Sequence, residues 1–260
     1  MKYNYHTHTS RCLHARGADE EYVLAAIEAG FDEIGFADHT PWKFDTNFVS
    51  NMRMREDQLK DYCDSVKALR EKYKDKISIK LGLECEYFSK YIPWLKSAIQ
   101  EHEIDYIILG HHFAVDEPGG TYNGSLTTPE DIYKYRDDVV EAMKTGLLSY
   151  VAHPDLFMRG YDAFDEHCKK VSEDIINTAI KTGTPLEYNL LGIKHGIADG
   201  KPGYPDPEFW KIASKLKPKA IVGIDAHAPS DYLEEDHIRL GYDALEKLGL
   251  PPVETIKFFR

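Results

Sequence analysis

The chain has 260 residues, of which 42% are hydrophobic and 29% are charged, and its formal net charge is −12. This composition supports a sizeable core and excludes wholesale disorder, and the acidic surface disfavours binding to nucleic-acid backbones. No segment reaches the roughly 18–20 apolar residues that span a bilayer, and no apolar signal region opens the chain. We therefore expect a cytoplasmic protein that acts away from membranes and nucleic acid.

Short apolar segments alternate with amphipathic segments along the whole chain. Several apolar segments are rich in β-branched residues, which is typical of parallel strands buried on both faces. The predicted strands are Lys2–Tyr5, Glu33–Ala37, Ser78–Cys85, Tyr106–Gly110, Tyr150–Ala152, Pro185–Tyr188 and Ala220–Ile224. The predicted helices are Asp19–Ala29, Glu56–Lys74, Pro129–Lys144, Ser172–Lys181 and Pro207–Lys215. This alternation predicts a parallel barrel or a doubly wound sheet in a single domain over residues 1–260.

Two helix ends carry specific signals. Gly30 follows the first predicted helix, where a left-handed C-terminal residue is common. Thr128 precedes Pro129, which predicts an N-cap followed by proline in the first turn. These signals place the end of the first helix and the start of the third.

Most of the twelve histidines lie directly after a predicted strand. The chemically active residues at these strand ends are His6, His8, His39, Glu84, Glu86, His111, His112, His153, Asp225 and His227. In a parallel barrel the carboxyl ends of all strands meet on one face, and that face carries the active site. We therefore expect these residues to converge on one cavity.

The residue types at the strand ends indicate metal binding. Imidazole and carboxylate groups without an obligatory thiolate suit zinc, iron or manganese. In an extended segment His6 and His8 point the same way and can bind one ion. Asp225 and His227 repeat that spacing after the last strand, which a closed barrel places beside the first. Each motif alone is weak evidence, but their joint position predicts a metal site.

Other candidate residues carry weaker signals. We interpret four histidines as solvated or structural, namely His102, His167, His195 and His237. The four cysteines form no CxxC pair and are predicted to be free thiols, without an assigned role. The segment Lys43–Met54 follows a predicted strand end, so we favour a substrate-covering loop over simple packing there.

Six motifs, in this order along the chain, resemble those of the polymerase and histidinol phosphatase (PHP) family. They are HTH at His6–His8, ADH at Ala37–His39, GLE at Gly82–Glu84, HHF at His111–Phe113, AHPD at Ala152–Asp155 and GIDAH at Gly223–His227. The resemblance spans nearly the whole chain. It implies an α/β fold, a distorted (β/α)7 TIM-like barrel, and two or three divalent ions of zinc, manganese or iron.

The resemblance also implies which residues bind which ion. His6, His8, Glu84 and Asp225 match the ligands of a first ion; Glu84, His112 and His153 match those of a second; His14, His39 and His227 match those of a third. His112 is preferred to His111 because the family pattern has its histidine directly before the aromatic residue. The same alignment prefers Glu84 to Glu86.

Within the family the chain is most similar to the histidinol-phosphate phosphatase branch. The opening from His6 to Trp42 and the segment LEYNLLGIKHG followed by YPDPEFW carry this similarity. That branch usually has Asn-Thr-Ser-Gly-Leu-Arg where this chain has Asn189-Leu190-Leu191-Gly192-Ile193-Lys194. The expected reaction is hydrolysis of L-histidinol phosphate, and the departure concerns the residues that bind phosphate.

The mechanism that we expect is attack on phosphorus by a hydroxide that bridges two ions. Asp225 and His227 are the catalytic candidates, and either His227 or metal-bound water can protonate the leaving group. Arg159 and Lys194 are the candidates for binding the outer phosphate oxygens of a small phosphorylated substrate. Asp38 and Asp155 can orient histidine ligands as hydrogen-bond acceptors.

Four other functions remain open at this stage. A related phosphatase or phosphodiesterase would share the metal site and differ only in the outer pocket. A nuclease is disfavoured by the net charge of −12, and a non-catalytic metal-binding module by the candidate phosphate-binding cations. Hydrolysis of a carbon–nitrogen bond by a related metal barrel is also chemically feasible, and the oligomeric state stays open.

Overall fold

The computed structural model describes residues 2–200 and 203–259. Its seven strands lie in one sheet in the order β1 to β7. The strands are β1 (Tyr3–Asn4), β2 (Glu33–His39), β3 (Ser78–Cys85), β4 (Tyr106–Leu109), β5 (Tyr150–Val151), β6 (Leu186–Asn189) and β7 (Ala220–Gly223). The α-helices are α1 (Asp19–Glu28), α2 (Leu59–Tyr73), α3 (Ile92–Glu101), α4 (Pro129–Lys144), α5 (Glu166–Thr182), α6 (Leu190–Asp199), α7 (Pro207–Leu216) and α8 (Glu235–Lys247). The fold is therefore the predicted α/β class, a distorted (β/α)7 barrel.

The predicted elements match the structure closely where local signals were strong. All seven predicted strands are present, and β3 and α4 have the predicted bounds. The Thr128 hydroxyl accepts a hydrogen bond from the Asp131 N–H, as expected of an N-cap. Gly30 has φ +73°, which is the left-handed conformation expected at a helix end.

Three features of the helices differ from the prediction. Helix α5 begins at Glu166, and the predicted start at Ser172 was wrong because Asp165 caps the Cys168 N–H at 2.9 Å. The predicted helix from Glu56 begins with a separate 3₁₀ turn, and α2 starts at Leu59. Helices α3, α6 and α8 were not predicted.

The chain forms two compact units. Unit 1 comprises Met1–Ile108, Ile224–Ile238 and Lys257–Arg260, and unit 2 comprises Leu109–Gly223 and Arg239–Ile256. The single domain over residues 1–260 stays a prediction. Every helix within residues 2–200 and 203–259 is too short or too polar to cross a bilayer.

The centre of unit 1 is organised around Tyr106. A Cβ atom at Gly35 or Gly82 would lie 2.2 or 2.4 Å from the Tyr106 side chain, so only glycine leaves room for this ring. The Tyr106 hydroxyl donates to the carbonyl oxygens of Tyr5 and Phe36. This packing holds β1, β2 and β3 together.

In unit 2 the strands β5, β6 and β7 pair in parallel. On the outer side of this sheet the Tyr188 ring packs edge-on against Trp210, with centroids 5.0 Å apart. On the other side Gly223 leaves space for the buried Glu187 carboxylate, since a Cβ atom there would lie 1.8 Å from its Oε1. A carboxyl side chain is thus buried within β6, whose other residues are Leu186, Tyr188 and Asn189.

Candidate metal centre

The segments that follow β1 and β7 lie side by side in unit 1. Thr7 and Ala226 form a parallel bridge, in which the His8 N–H donates to the Ala226 carbonyl at 2.9 Å. The Ala226 N–H in turn donates to the His6 carbonyl at 3.0 Å. The two dyads, His6 with His8 and Asp225 with His227, are therefore adjacent, as the barrel argument predicts.

Four buried side chains form the first group of possible ligands. His6 Nε2 lies 3.4 Å from both Glu84 Oε1 and Asp225 Oδ1, and His8 Nε2 lies 3.2 Å from Asp225 Oδ1 and 3.5 Å from Glu84 Oε2. Ligands at about 2.1 Å from an ion, with coordination angles of about 90–109°, lie about 3.0–3.4 Å apart. The donor types and their spacing therefore fit a divalent transition metal.

Burial and hydrogen bonds set the charges in and beside this group. Burial raises the pKa of the Asp225 carboxyl, but the His6 and His8 imidazoles hold it well below its ordinary value. Burial lowers the pKa of His8, but hydrogen bonds to Asp225 and Asp38 raise it well above the ordinary value. Burial and the neighbouring His8 lower the pKa of His227 to about 4, so this ring is neutral at pH 7. A neutral imidazole is the form that ligates metal, so His227 is ready to bind an ion, whereas His8 would release a proton on binding one.

A second group joins His14, His39 and His227, whose nearest ring nitrogens lie within 4.8 Å of one another. His14 Nδ1 donates to the Cys12 carbonyl at 2.8 Å, and His227 Nδ1 donates to the Asp225 carbonyl at 3.0 Å. Each bond leaves the Nε2 lone pair for a ligand, which is the usual arrangement of metal-bound histidines. His39 also lies near the first group, with Nδ1 3.0 Å from Glu84 Oε2.

The Asp38 carboxylate accepts hydrogen bonds from His8 and from the backbone of Thr9 and His39. Its carboxylate accepts from His8 Nδ1 at 3.3 Å, from the Thr9 N–H at 3.2 Å and from the His39 N–H at 2.8 Å. The bond to Nδ1 turns His8 Nε2 towards Glu84 and Asp225. These contacts agree with the orienting role expected of Asp38, which stays a prediction.

Glu86 lies outside this cluster and forms a buried ion pair. Arg53 Nη2 and Nη1 donate to its two oxygens at 2.8 and 3.1 Å, and Trp42 Nε1 donates at 2.6 Å. Arg53 also donates to the Thr40 carbonyl at 3.0 Å. The preference for Glu84 agrees with this geometry, and Arg53 anchors the loop Lys43–Met54 to the end of β3.

In unit 2 the histidines after β4 and β5 come together. The rings of His112 and His153 have centroids 5.0 Å apart, and both residues are buried. His111 points elsewhere, with Nε2 3.1 Å from Asp138 Oδ2 and its ring against Tyr135. The geometry of unit 2 thus favours His112 over His111 as the partner of His153.

Glu187 and Tyr204 surround His153. The Glu187 carboxylate accepts from the His153 N–H at 3.1 Å and from Asn189 Nδ2 at 2.9 Å. His153 has φ +29°, and Asp225 in unit 1 has φ +55°. Positive φ values at residues other than glycine store strain and cluster at functional sites.

The Tyr204 ring packs near the His153 ring, with centroids 5.6 Å apart.

Of the two candidate phosphate-binding cations, Arg159 is paired with a carboxylate. Arg159 Nε lies 3.1 Å from Asp199 Oδ2, on the partly exposed end of α6. Lys194 lies half-buried in α6. The structure therefore leaves their role as a prediction.

Asp155 does not orient a histidine. Its Oδ2 accepts from the Asp206 N–H at 2.6 Å and from Trp210 Nε1 at 3.1 Å, so this prediction was wrong. Burial raises its pKa to about 7.

Several residues near these groups were missed from the sequence. Glu187 carried a signal, since a carboxyl group inside a predicted buried strand requires a partner. Arg53 and Tyr204 carried none, because both lie in segments without periodicity. His195, interpreted as solvated or structural, hydrogen-bonds through Nδ1 to the Tyr204 hydroxyl at 3.0 Å.

Comparisons with family models and with known proteins agree on one family. The family model described as "PHP domain" matches residues 4–190, which is more than half of the chain. A probable histidinol-phosphatase of Deinococcus radiodurans is 26% identical over 235 residues, covering 87% of this chain and 86% of the relative. A histidinol-phosphatase of Bacillus subtilis is 23% identical over 252 residues, covering 87% and 93%.

Solved structures show the same fold. Histidinol phosphate phosphatase from Lactococcus lactis, complexed with zinc, L-histidinol and phosphate, matches with a TM-score of 0.72 and 20% identity, over 100% of this chain and 99% of the other. A histidinol phosphatase structure from Listeria monocytogenes matches with a TM-score of 0.69 and 22% identity, over 88% and 97%. Their agreement with this chain supports the distorted barrel.

Proposed function

Because the chain belongs to the PHP domain family, we propose that it is a metal-dependent phosphomonoesterase that hydrolyses L-histidinol phosphate to L-histidinol and phosphate. The observation that carries this proposal is the spacing of His6, His8, Glu84 and Asp225, whose nitrogen and oxygen atoms lie 3.2–3.5 Å apart. The similarity to relatives named histidinol-phosphatase supports the choice of substrate. We place the reaction in the cytoplasm.

We propose nine metal ligands. They are His6, His8, His14, His39, Glu84, His112, His153, Asp225 and His227. Two or three ions of zinc, manganese or iron suit this set, since imidazole and carboxylate bind all three metals. Zinc is present in the Lactococcus lactis relative.

Bound divalent ions supply Lewis acidity, which neutralises charge on phosphoryl oxygens and lowers the pKa of coordinated water. The residues of this chain prepare the site for that chemistry. Asp225 stays ionised at neutral pH because His6 and His8 lower its pKa. Asp38 fixes the orientation of the His8 ring. The His227 ring is only 17% exposed and neutral at pH 7, so its Nε2 lone pair can ligate an ion. The proton for the leaving group is then expected from the other predicted donor, water.

Arg159 and Lys194 are proposed to bind the outer phosphate oxygens. The Arg159–Asp199 pair is partly exposed, with 28% and 37% of the side chains accessible, so a phosphate dianion can compete for the guanidinium. Lys194 offers a point charge in place of the bidentate fork of arginine. This difference supports a second candidate function, which is hydrolysis of another small phosphomonoester by the same metal centre.

A substrate panel tests both functions. The purified chain, stripped with a chelator and reconstituted with Zn²⁺ or Mn²⁺, is assayed for phosphate release from L-histidinol phosphate and from other small phosphomonoesters. We expect the highest kcat/KM for L-histidinol phosphate. A clear preference for a different phosphomonoester selects the second function, and phosphate release that survives complete removal of metal would refute both.

Two variants and a matched control test the residues. His8→Ala and Asp225→Ala are expected to lower kcat/KM roughly a thousandfold or more, because several kcal/mol of charge stabilisation are lost. His102→Ala, at the end of α3 and outside the ligand groups, should retain full activity. Circular dichroism verifies that all three variants are folded.

A further inference from the structure

Cys12 lies among the histidines of unit 1. It ends the 3₁₀ turn Ser10–Cys12 and is completely buried. Its Sγ, one ring nitrogen of His8 and one ring nitrogen of His227 all lie within 4.8 Å of one another. In the described part of the chain, the other three cysteines belong to no such group of possible ligands.

The turn that holds Cys12 also positions its neighbours. The Ala15 N–H points at Cys12 Sγ, with a nitrogen–sulfur distance of 3.3 Å. The Cys12 carbonyl accepts from His14 Nδ1, which leaves the His14 Nε2 lone pair for a ligand. Hydrogen bonds to sulfur also occur at metal-bound cysteines, where they tune the bound metal, as in iron–sulfur clusters.

From this arrangement we infer that Cys12 sulfur is a further ligand of the proposed metal centre, on an ion that it shares with His227. The inference rests on the proposed metal centre, and it adds a ligand that imidazole and carboxylate motifs do not predict. On binding, the thiol proton leaves to solvent and the sulfur lone pair forms the bond to the ion, without any change of oxidation state. His227 contributes to both groups and so joins the sulfur to the other two histidines.

A thiolate ligand changes which metal ion this position prefers. Three imidazoles accept manganese, iron and zinc, whereas thiolate is a soft ligand that favours zinc over manganese. The thiolate also adds one negative charge, which lowers the net charge of the ion and its ligands. We therefore expect one of the bound ions to be more zinc-selective than the others.

X-ray absorption spectroscopy on the zinc-loaded full chain tests the inference directly. The parent protein should show a sulfur neighbour of zinc at about 2.3 Å, besides nitrogen and oxygen neighbours. Cys12→Ser, which is nearly the same size, should lose that neighbour. The matched control Cys63→Ser, at a buried cysteine in α2, should keep it.

Metal titration supplies an independent readout. Competition with a chelator should show that Cys12→Ser weakens the binding of one zinc ion by about 10- to 100-fold, while manganese binding changes less. A zinc-loaded parent protein without a sulfur neighbour overturns the inference, even if Cys12→Ser fails to fold. Equal loss of zinc and manganese affinity in a folded Cys12→Ser also overturns it.

The two proposals fail in different ways. If the parent chain binds no divalent ion, the proposed phosphatase function fails. If the chain binds ions and releases phosphate, but zinc has only nitrogen and oxygen neighbours, the role of Cys12 alone fails.

Discussion

Two glutamates at the end of β3 lie in contrasting surroundings. Glu84 and Glu86 are two residues apart, and each is only 1% exposed. Arg53 neutralises Glu86 through two hydrogen bonds, whereas imidazole nitrogens lie 3.0–3.5 Å from Glu84. A buried carboxylate requires a compensating positive charge. The chain supplies that charge to Glu86 as arginine, and the surroundings of Glu84 are spaced to receive it as a metal ion.

The largest expected effect comes from Glu84→Gln. This variant keeps the size of the side chain but loses the negative charge that would bind ions, so phosphatase activity should fall roughly a thousandfold or more. The bound metal, measured by elemental analysis, should fall by at least one ion per chain. Glu86→Gln is the matched control and should retain its metal; equal metal loss in both variants would remove the distinction between the two glutamates.

Breaking the ion pair of Glu86 should act on stability instead. Arg53→Met leaves a buried carboxylate without its guanidinium, and loss of one partner of a buried pair typically costs about 3–5 kcal/mol. Urea unfolding monitored by circular dichroism measures the free energy of unfolding. The double variant Arg53→Met, Glu86→Leu should recover part of the loss, and a single-variant cost below about 1 kcal/mol would show that the pair contributes little.

Removal of metal should lower the stability of the folded chain. At free metal concentrations of about 100 to 1,000 times the dissociation constant, one ion stabilises the folded state by about 3–4 kcal/mol. The chelated parent protein should therefore unfold at a lower temperature than the metal-loaded protein. Glu84→Gln should respond less to chelation, and an identical response would place the stabilising ion elsewhere.

The smallest effect is expected at a carboxylate outside both sites, Asp174 on α5. Burial raises its pKa, but Lys170 and Arg136 lower it below the ordinary value. The stabilisation is then present above the unfolded pKa of about 3.9 and is lost as the pH falls through the folded pKa. Asp174→Asn should cost less than about 1 kcal/mol at pH 7, and the two unfolding free energies should converge in acid. A difference that grows in acid would contradict this sign.

The sequence by itself determined the framework and the chemistry. The seven strands follow from apolar runs, and the site residues follow from their positions directly after those runs. Local signals also predicted the N-cap at Thr128 and the end of α1 near Gly30. These features depend on local backbone preference, which is legible in a single segment.

Only the tertiary structure decided which of two similar neighbours belongs to the site. Arg53 and Glu86 are 33 positions apart, and no local sequence pattern predicts their ion pair. His111 pairs with Asp138 on α4, whereas His112 lies against His153. Cys12 lies among the histidines in a turn where the Ala15 N–H points at its sulfur. The physical reason is that a charge or ligand atom acts through space over a few ångströms, and folding alone brings distant segments within that range.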